Sequence, residues 1–209
     1  ELEECRNGLE KLCTQLTGIR KKASRTLVKK IRQGLVDLNF LDVEFDMEFE
    51  KLDHFTPSGW DGAQFLISPN PGQPMRPLKD VASGGELSRI MLAIKTVLAD
   101  SDDIPTLIFD EIDTGISGRT AQKVSEKLML IARSHQVICI THLPQIAAMA
   151  DSHFEIAKSA SQGRTITTIR LLDRQASVEE LARLLGGARI TEAVLKNAGE
   201  MKELADRTK

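Results

Sequence analysis

From Leu2 to Thr26, apolar and small residues recur at alternating steps of three and four: Leu2, Cys5, Leu9, Leu12, Leu16, Ile19, Ala23 and Thr26. This is the seam spacing of a coiled coil, sustained for about three and a half heptads. The steps then drift to Leu27, Ile31, Leu35 and Leu38, the broader stripe of a helix packed on a globular body. The pattern predicts a coiled-coil end and connecting helix over residues 1–38, feeding a body over residues 39–209. After Asn39 the period becomes two. Leu41, Val43, Phe45, Met47 and Phe49 alternate with Asp42, Glu44, Asp46, Glu48 and Glu50, as in an antiparallel strand with one apolar and one acidic face. Alternation strings these carboxylates along the strand without convergence, so a solvated face explains them better than a metal cluster. Residues 59–62 and 68–77 are rich in glycine and proline and read as turns around a short strand over residues 63–67.

The second half alternates strand and helix. Leu87, Ile90, Met91, Ile94, Val97 and Leu98 form a helical stripe. The run TLIFDEID at residues 106–113 is apolar and ends in acids, as expected of a buried parallel strand. A helical stretch from Thr120 to Arg133 leads to a second apolar run, Val137 to Ile140. This βαβ spacing predicts parallel pairing of the two strands. Residues 154–157 and 165–172, joined by the loop SASQGR, read as a hairpin, and residues 178–185 and 190–204 as helices. The class is α/β, a parallel sheet flanked by helices plus antiparallel strands.

Composition narrows the chemistry. A formal net charge of −2 over 209 residues gives no global attraction to a polyanion, so any such site is local. The local excess lies in Arg20, Lys21, Lys22, Arg25, Lys29, Lys30 and Arg32. These suit either phosphate backbones or the solvated face of a coil. Cys5, Cys13 and Cys139 have no disulfide-framework or CxxC spacing, which fits a reducing cytoplasm. No long apolar run suggests a membrane span. Opening on Glu1 in mid-heptad suggests a piece of something longer.

Three places carry candidate chemistry. In VASGGELSR, residues 81–89, Ser83 is the expected N-cap with Glu86 three residues on. A cap alone needs no paired glycines. Gly84 and Gly85 leave backbone bare where amides at a helix start attract anions. Asp110 and Glu111 end the first parallel strand, the edge at which open α/β sheets bind ligands. Asp110 suits magnesium, whose hard oxygen shell is shared with phosphates, and Glu111 can orient or deprotonate a water. His142 leaves the second strand at the same edge and can donate to a phosphate oxygen. His54, His135 and His153 carry no such placement and read as structural or solvated.

Together these segments resemble a known superfamily. ASGGE at 82–86 resembles the ABC signature, LIFDE at 107–111 resembles Walker B with its following glutamate, and His142 matches the switch histidine. With the leading heptads they resemble the SMC-like ABC ATPases. More narrowly, VASGGELSR, FDEIDTGISG and THLPQIAAMAD are similar to the carboxy-terminal half of the RecN family of bacterial DNA repair ATPases, up to LLGG at 184–187. The resemblance implies the carboxy-terminal lobe of an ABC-type ATPase head with a coiled-coil stub. It also implies ATP and Mg2+, a second head in a head-to-head dimer, DNA as partner and the bacterial nucleoid as location. By the same resemblance, Ser83 and Gly85 contact the γ-phosphate of ATP held by the opposite head, while Gly84 and Glu86 shape the turn. Asp110 lies on the magnesium side, Glu111 is the catalytic base and His142 senses the γ-phosphate. Asp113, Thr114, Gly115 and Ser117 form a D-loop-like segment, with Ser117 where many ABC proteins have aspartate.

One motif is missing. The chain has no GxxxxGK[ST], and Gly186–Gly187 is followed by Ala188–Arg189, so the loop that cradles phosphates must come from an amino-terminal lobe. Two other readings stay open: a nucleotide-binding domain of a transporter, and a non-enzymatic module in which SGGE is only a cap and the basic helix binds DNA or protein.

Overall fold

The computed structural model describes residues 1–69, 72–81, 83–101, 103–161, 164–187 and 189–209. Ala82 of the signature run, Asn70 and Pro71 of the turn region at 68–77 and the centre of the SASQGR loop lie outside them. The chain folds as two compact units, Glu1–Asp103 and Ile104–Lys209.

In the first unit, α1 runs unbroken over Leu2–Asp37, so the predicted coil end and connecting helix are one element. Its second half is held as the drifting stripe requires, with Ile31 and Leu35 buried and Leu38 just beyond them. The heptad seam is mostly open to solvent: Leu2 is 90% exposed, Leu12 62% and Ile19 65%. The neighbouring face, which carries Cys13, Thr17 and Arg20, instead meets a β-hairpin. That hairpin pairs β1 (Glu44–Thr56) antiparallel with β2 (Gly59–Ser68), and β3 (Arg76–Pro77) adds a short third strand. Val43 and Phe45 are buried and Glu44 and Asp46 exposed, as the alternation requires.

Three expectations change here. Leu41 lies in a turn and is 70% exposed, so the strand starts later than its pattern suggested. β1 continues to Thr56 through the polar run KLDHFT. Residues 59–62, read as a turn, are strand, and the chain reverses at Pro57 and Ser58. The physical reason is a clasp on α1. Thr17 Oγ1 donates to Asp61 Oδ1 at 2.6 Å and accepts from the Trp60 indole N–H at 3.0 Å. Arg20 donates to Asp61 Oδ2 at 2.9 Å and to the Ser58 carbonyl at 2.7 Å. Gly59, at φ +99°, passes so close that a Cβ would stand 3.1 Å from Leu16 Cδ2. Lys51 Nζ sits 3.9 Å over the Trp60 ring, whose other neighbour is Phe55.

The predicted stripe at Leu87 becomes α2 (Gly84–Leu98), which packs on α1 and buries Ile90, Leu92, Ala93 and Ile94. Leu92 and Ala93 widen the buried face beyond the stripe read from sequence.

In the second unit, β4 (Thr106–Phe109) and β5 (Gln136–Cys139) are parallel, with Thr106 opposite Gln136 and Phe109 opposite Cys139. Helix α3 (Gly118–Ala132) connects them and buries Ala121, Val124, Leu128 and Ile131. The expected full burial is not met: Leu107 and Phe109 are buried, but Ile108 is 68% exposed. Among the described residues, Ile108 and Ile138 leave the other face of this sheet exposed. A short α4 (Pro144–Ala148) leads to the antiparallel hairpin of β6 (Phe154–Ser161) and β7 (Arg164–Leu171), then to α5 (Arg174–Gly186) and α6 (Glu192–Thr208). Alanine-rich faces of α4, α5 and α6 pack together through Ala147, Ala148, Leu181, Ala182, Ala198 and Ala205. Lys202 Nζ reaches the carbonyls of Ala148 and Ala150 at 3.0 and 3.2 Å, placing a cation at the C-terminal end of α4. Among the described residues, no helix is long and apolar enough to cross a membrane.

Candidate active site at the sheet edge

Because β4 and β5 run in register, both release their chains at the same edge. The last ladder bond runs from the Ile140 N–H to the Phe109 carbonyl at 3.0 Å, and the next residues on the two strands are Asp110 and Thr141. Glu111 then turns sharply, with φ +57°, a left-handed conformation that costs a non-glycine residue roughly 1–2 kcal/mol. Its N–H donates to Asp110 Oδ1 at 2.9 Å, and its carbonyl accepts from the Thr114 N–H at 3.0 Å. Both Asp110 and Glu111 are exposed. Ile112 between the acids is fully buried and anchors the turn.

Asp113 goes inward and is 4% exposed. Its Oδ2 accepts from the Thr141 hydroxyl at 2.6 Å and from the His142 backbone N–H at 2.8 Å. The His142 ring nitrogen Nδ1 lies 2.9 Å from the same oxygen. Thr141 Oγ1 in turn accepts the Leu143 N–H at 3.0 Å. Burial, helped by the Asp113 and Asp110 carboxylates, pushes the Cys139 thiol up to about 12. A cysteine there stays a neutral thiol.

The structure thus gathers Asp110, Glu111, Asp113 and His142 at one edge. Of the other loop residues named from sequence, Thr114, Gly115 and Ser117 are exposed on the connection to α3, with Gly115 at φ +75°. The signature residues form a separate feature of the first unit. Ser83 caps α2 by accepting the Glu86 N–H at 3.3 Å. Gly84 is exposed and Gly85 buried.

Sequence reasoning missed the link from Asp113 and Thr141 to His142. Its one visible trace is an acid three residues beyond Asp110 and a hydroxyl just before the histidine. For magnesium, the donor set fits a shared site. Asp110 offers hard oxygen, and among the described residues no group of three His, Cys, Asp or Glu forms a cage.

No family model matches the chain. A curated protein named DNA repair protein RecN from Halalkalibacterium halodurans is 43% identical over 208 residues, covering 98% of this chain and 37% of that protein. A RecN of Bacillus subtilis is 39% identical across 100% of this chain and 39% of its own length. The chain is homologous to a segment of RecN. The RecN of Vibrio cholerae agrees, at 45% identity over 183 residues, covering 87% of this chain and 33% of its own length. The chain therefore spans less than half of the RecN relatives it matches. Among solved structures, the Smc head domain with a coiled coil and joint from Pyrococcus yayanosii aligns with TM-score 0.54 at 20% identity. It covers 78% of this chain and 29% of that one. The Pyrococcus furiosus Smc head domain with an extended coiled coil aligns with TM-score 0.50 at 18% identity, covering 80% and 38%. These likenesses show for the chain the fold of an Smc head domain.

Proposed function

We propose that this chain is the carboxy-terminal part of an SMC-like ATPase head that acts in DNA double-strand break repair and recombination. Phosphate binding is completed by an amino-terminal lobe that supplies the missing GxxxxGK[ST] loop. The observation that carries this reading is the sheet edge where Asp110, Glu111 and His142 emerge together. When bound, Mg2+ would screen the phosphate charge and take an oxygen from Asp110. Glu111, exposed beside it, holds and deprotonates the water that attacks the γ-phosphate. His142 meets the γ-phosphate from the neighbouring strand. Ser83 and Gly85, with Gly84 and Glu86 shaping the turn, approach the nucleotide held by a second head, so that binding brings two heads together. The exposed Thr114, Gly115 and Ser117 of the D-loop-like segment face that partner, with Asp113 turned inward behind them. The exposed cations Lys21, Lys22, Arg25, Lys29, Lys30 and Arg32 of α1 offer phosphate contacts to DNA. The setting is the cytoplasm, on the nucleoid.

The test is Glu111→Gln in the full-length protein. ATP binding should persist while turnover falls by about 10²-fold or more. Turnover at the unaltered rate would remove Glu111 as the base.

A further inference from the structure

We propose that Lys202 is a positioning residue for His142: from the last helix, α6, it fixes the far end of α4 and so holds the loop that carries the histidine. The inference rests on the ATPase reading above, and the experiment below separates the two.

A helix of five residues has no interior. α4 (Pro144–Ala148) is too short to hold its shape by its own hydrogen bonds, and both of its ends are fastened from outside. In front, Asp113 Oδ2 accepts the His142 backbone N–H at 2.8 Å, and Thr141 Oγ1 accepts the Leu143 N–H at 3.0 Å. Behind, Lys202 Nζ donates to the Ala148 carbonyl at 3.0 Å and to the Ala150 carbonyl at 3.2 Å. Lys209 also reaches the Ala150 carbonyl, at 3.1 Å, so the bond to Ala148 is the one that Lys202 makes without help. Between the two fastenings, the Leu143 carbonyl accepts from the Ile146 and Ala147 N–H groups, and the Ile146 and Ala147 carbonyls accept from Met149 and Ala150, each at 3.1 Å. One short ladder therefore runs from the residue after His142 to the carbonyls under Lys202, with no spare turn between them to absorb a shift.

Lys202 is itself held in place. It is 8% exposed, unusual for a lysine, which is rarely buried without partners. Beyond the two carbonyls its ammonium pairs with Asp206 Oδ1 at 3.3 Å, and Asp206 in turn accepts from Arg174 of α5 at 2.6 Å. Burial would raise the Asp206 carboxyl, but the Arg174 bond and the charges of Lys202 and Arg174 keep it below its ordinary value. The pair therefore stays charged at neutral pH. Around it, Ala147 and Ala148 of α4 pack on Leu181, Ala182, Ala198 and Ala205. Burial of methyl groups favours contact without favouring a direction. The charge-assisted bonds from Lys202 add that direction, and so set where the end of α4 sits on α6.

The experiment uses the full-length protein with Lys202→Met, His142→Ala and the double variant. Methionine nearly keeps the length of the side chain and removes its donors. Lys202→Met should lower kcat by about 10-fold with KM little altered, as for a small misplacement of a group that meets the reacting phosphate. In the His142→Ala background the same change should cost nothing further, because Lys202 acts through a side chain that is already gone. A double variant that loses the product of the two factors would show general damage and overturn the proposal. Loss in His142→Ala with full turnover in Lys202→Met would also overturn it, yet leave the ATPase reading standing. Full turnover in His142→Ala would remove the role of His142, and the proposal with it. Should Lys202→Met fail to fold, amide hydrogen exchange in the unaltered protein decides: the Ile146 and Ala147 amides must open together with those of α6 around Lys202. Exchange there that runs well ahead of α6 sinks the idea.

Discussion

Glu111 joins Asn39 as the two described non-glycine residues with a left-handed backbone, at φ +57° and +73°. Asparagine tolerates that region, whereas glutamate gains nothing local from it. The strain sits at the residue proposed to act on water, held by the Asp110 carboxylate on its N–H and by the buried Ile112 beyond. Replacing Glu111 by glycine should therefore abolish turnover while raising the unfolding free energy by about 1 kcal/mol. Glu111→Val should lower it by a similar amount, both measured by urea denaturation. Equal losses in the two variants would show that the turn is not strained. Asp110, Glu111 and His142 were legible in sequence because strand logic alone brings them to one edge. The pairing of Asp113 with His142 was not, since it depends on a turn whose conformation no periodicity encodes.

Among the elements, the alternation of Val43, Phe45 and Met47 announced β1, and the parallel pair followed from the spacing of two apolar runs around a helix. The outer half of the first hairpin could not be read this way. Its residues Lys51–Thr56 have no apolar alternation because Lys51 and Phe55 are held by Trp60, which is itself fixed to Thr17 of α1. At the centre of that clasp, burial would raise the Asp61 carboxyl, but the Thr17 hydroxyl and Arg20, with Lys21 further off, hold it below its ordinary value. The sign follows from that direction. A depressed carboxyl contributes stability that is complete above the ordinary carboxylate range and is lost as pH falls through the lower, folded value. Asp61→Asn should cost about 2 kcal/mol near neutral pH and show a shallower loss on acidification, measured by urea denaturation between about pH 3 and pH 7. A variant with the same acid dependence as the unaltered chain would remove Asp61 as the source.

For the molecule as a whole, the chain carries acids and a histidine at one edge and a capped, glycine-bearing helix start, but no phosphate-cradling loop in its 209 residues. It should hydrolyse ATP negligibly by itself and gain activity when the amino-terminal lobe is added, followed by phosphate release. Robust hydrolysis by the purified 209-residue chain would sink the half-site account. The clasp also matters mechanically. Thr17 and Arg20 tie α1 to the hairpin at a fixed point, and the fifteen or so residues from Thr17 back to Leu2 project about 22 Å beyond it at 1.5 Å per residue. A sideways pull at the far end of the helix is thus a torque about Asp61, shared between the Thr17 and Arg20 bonds there and the packing of Ile31 and Leu35 further along.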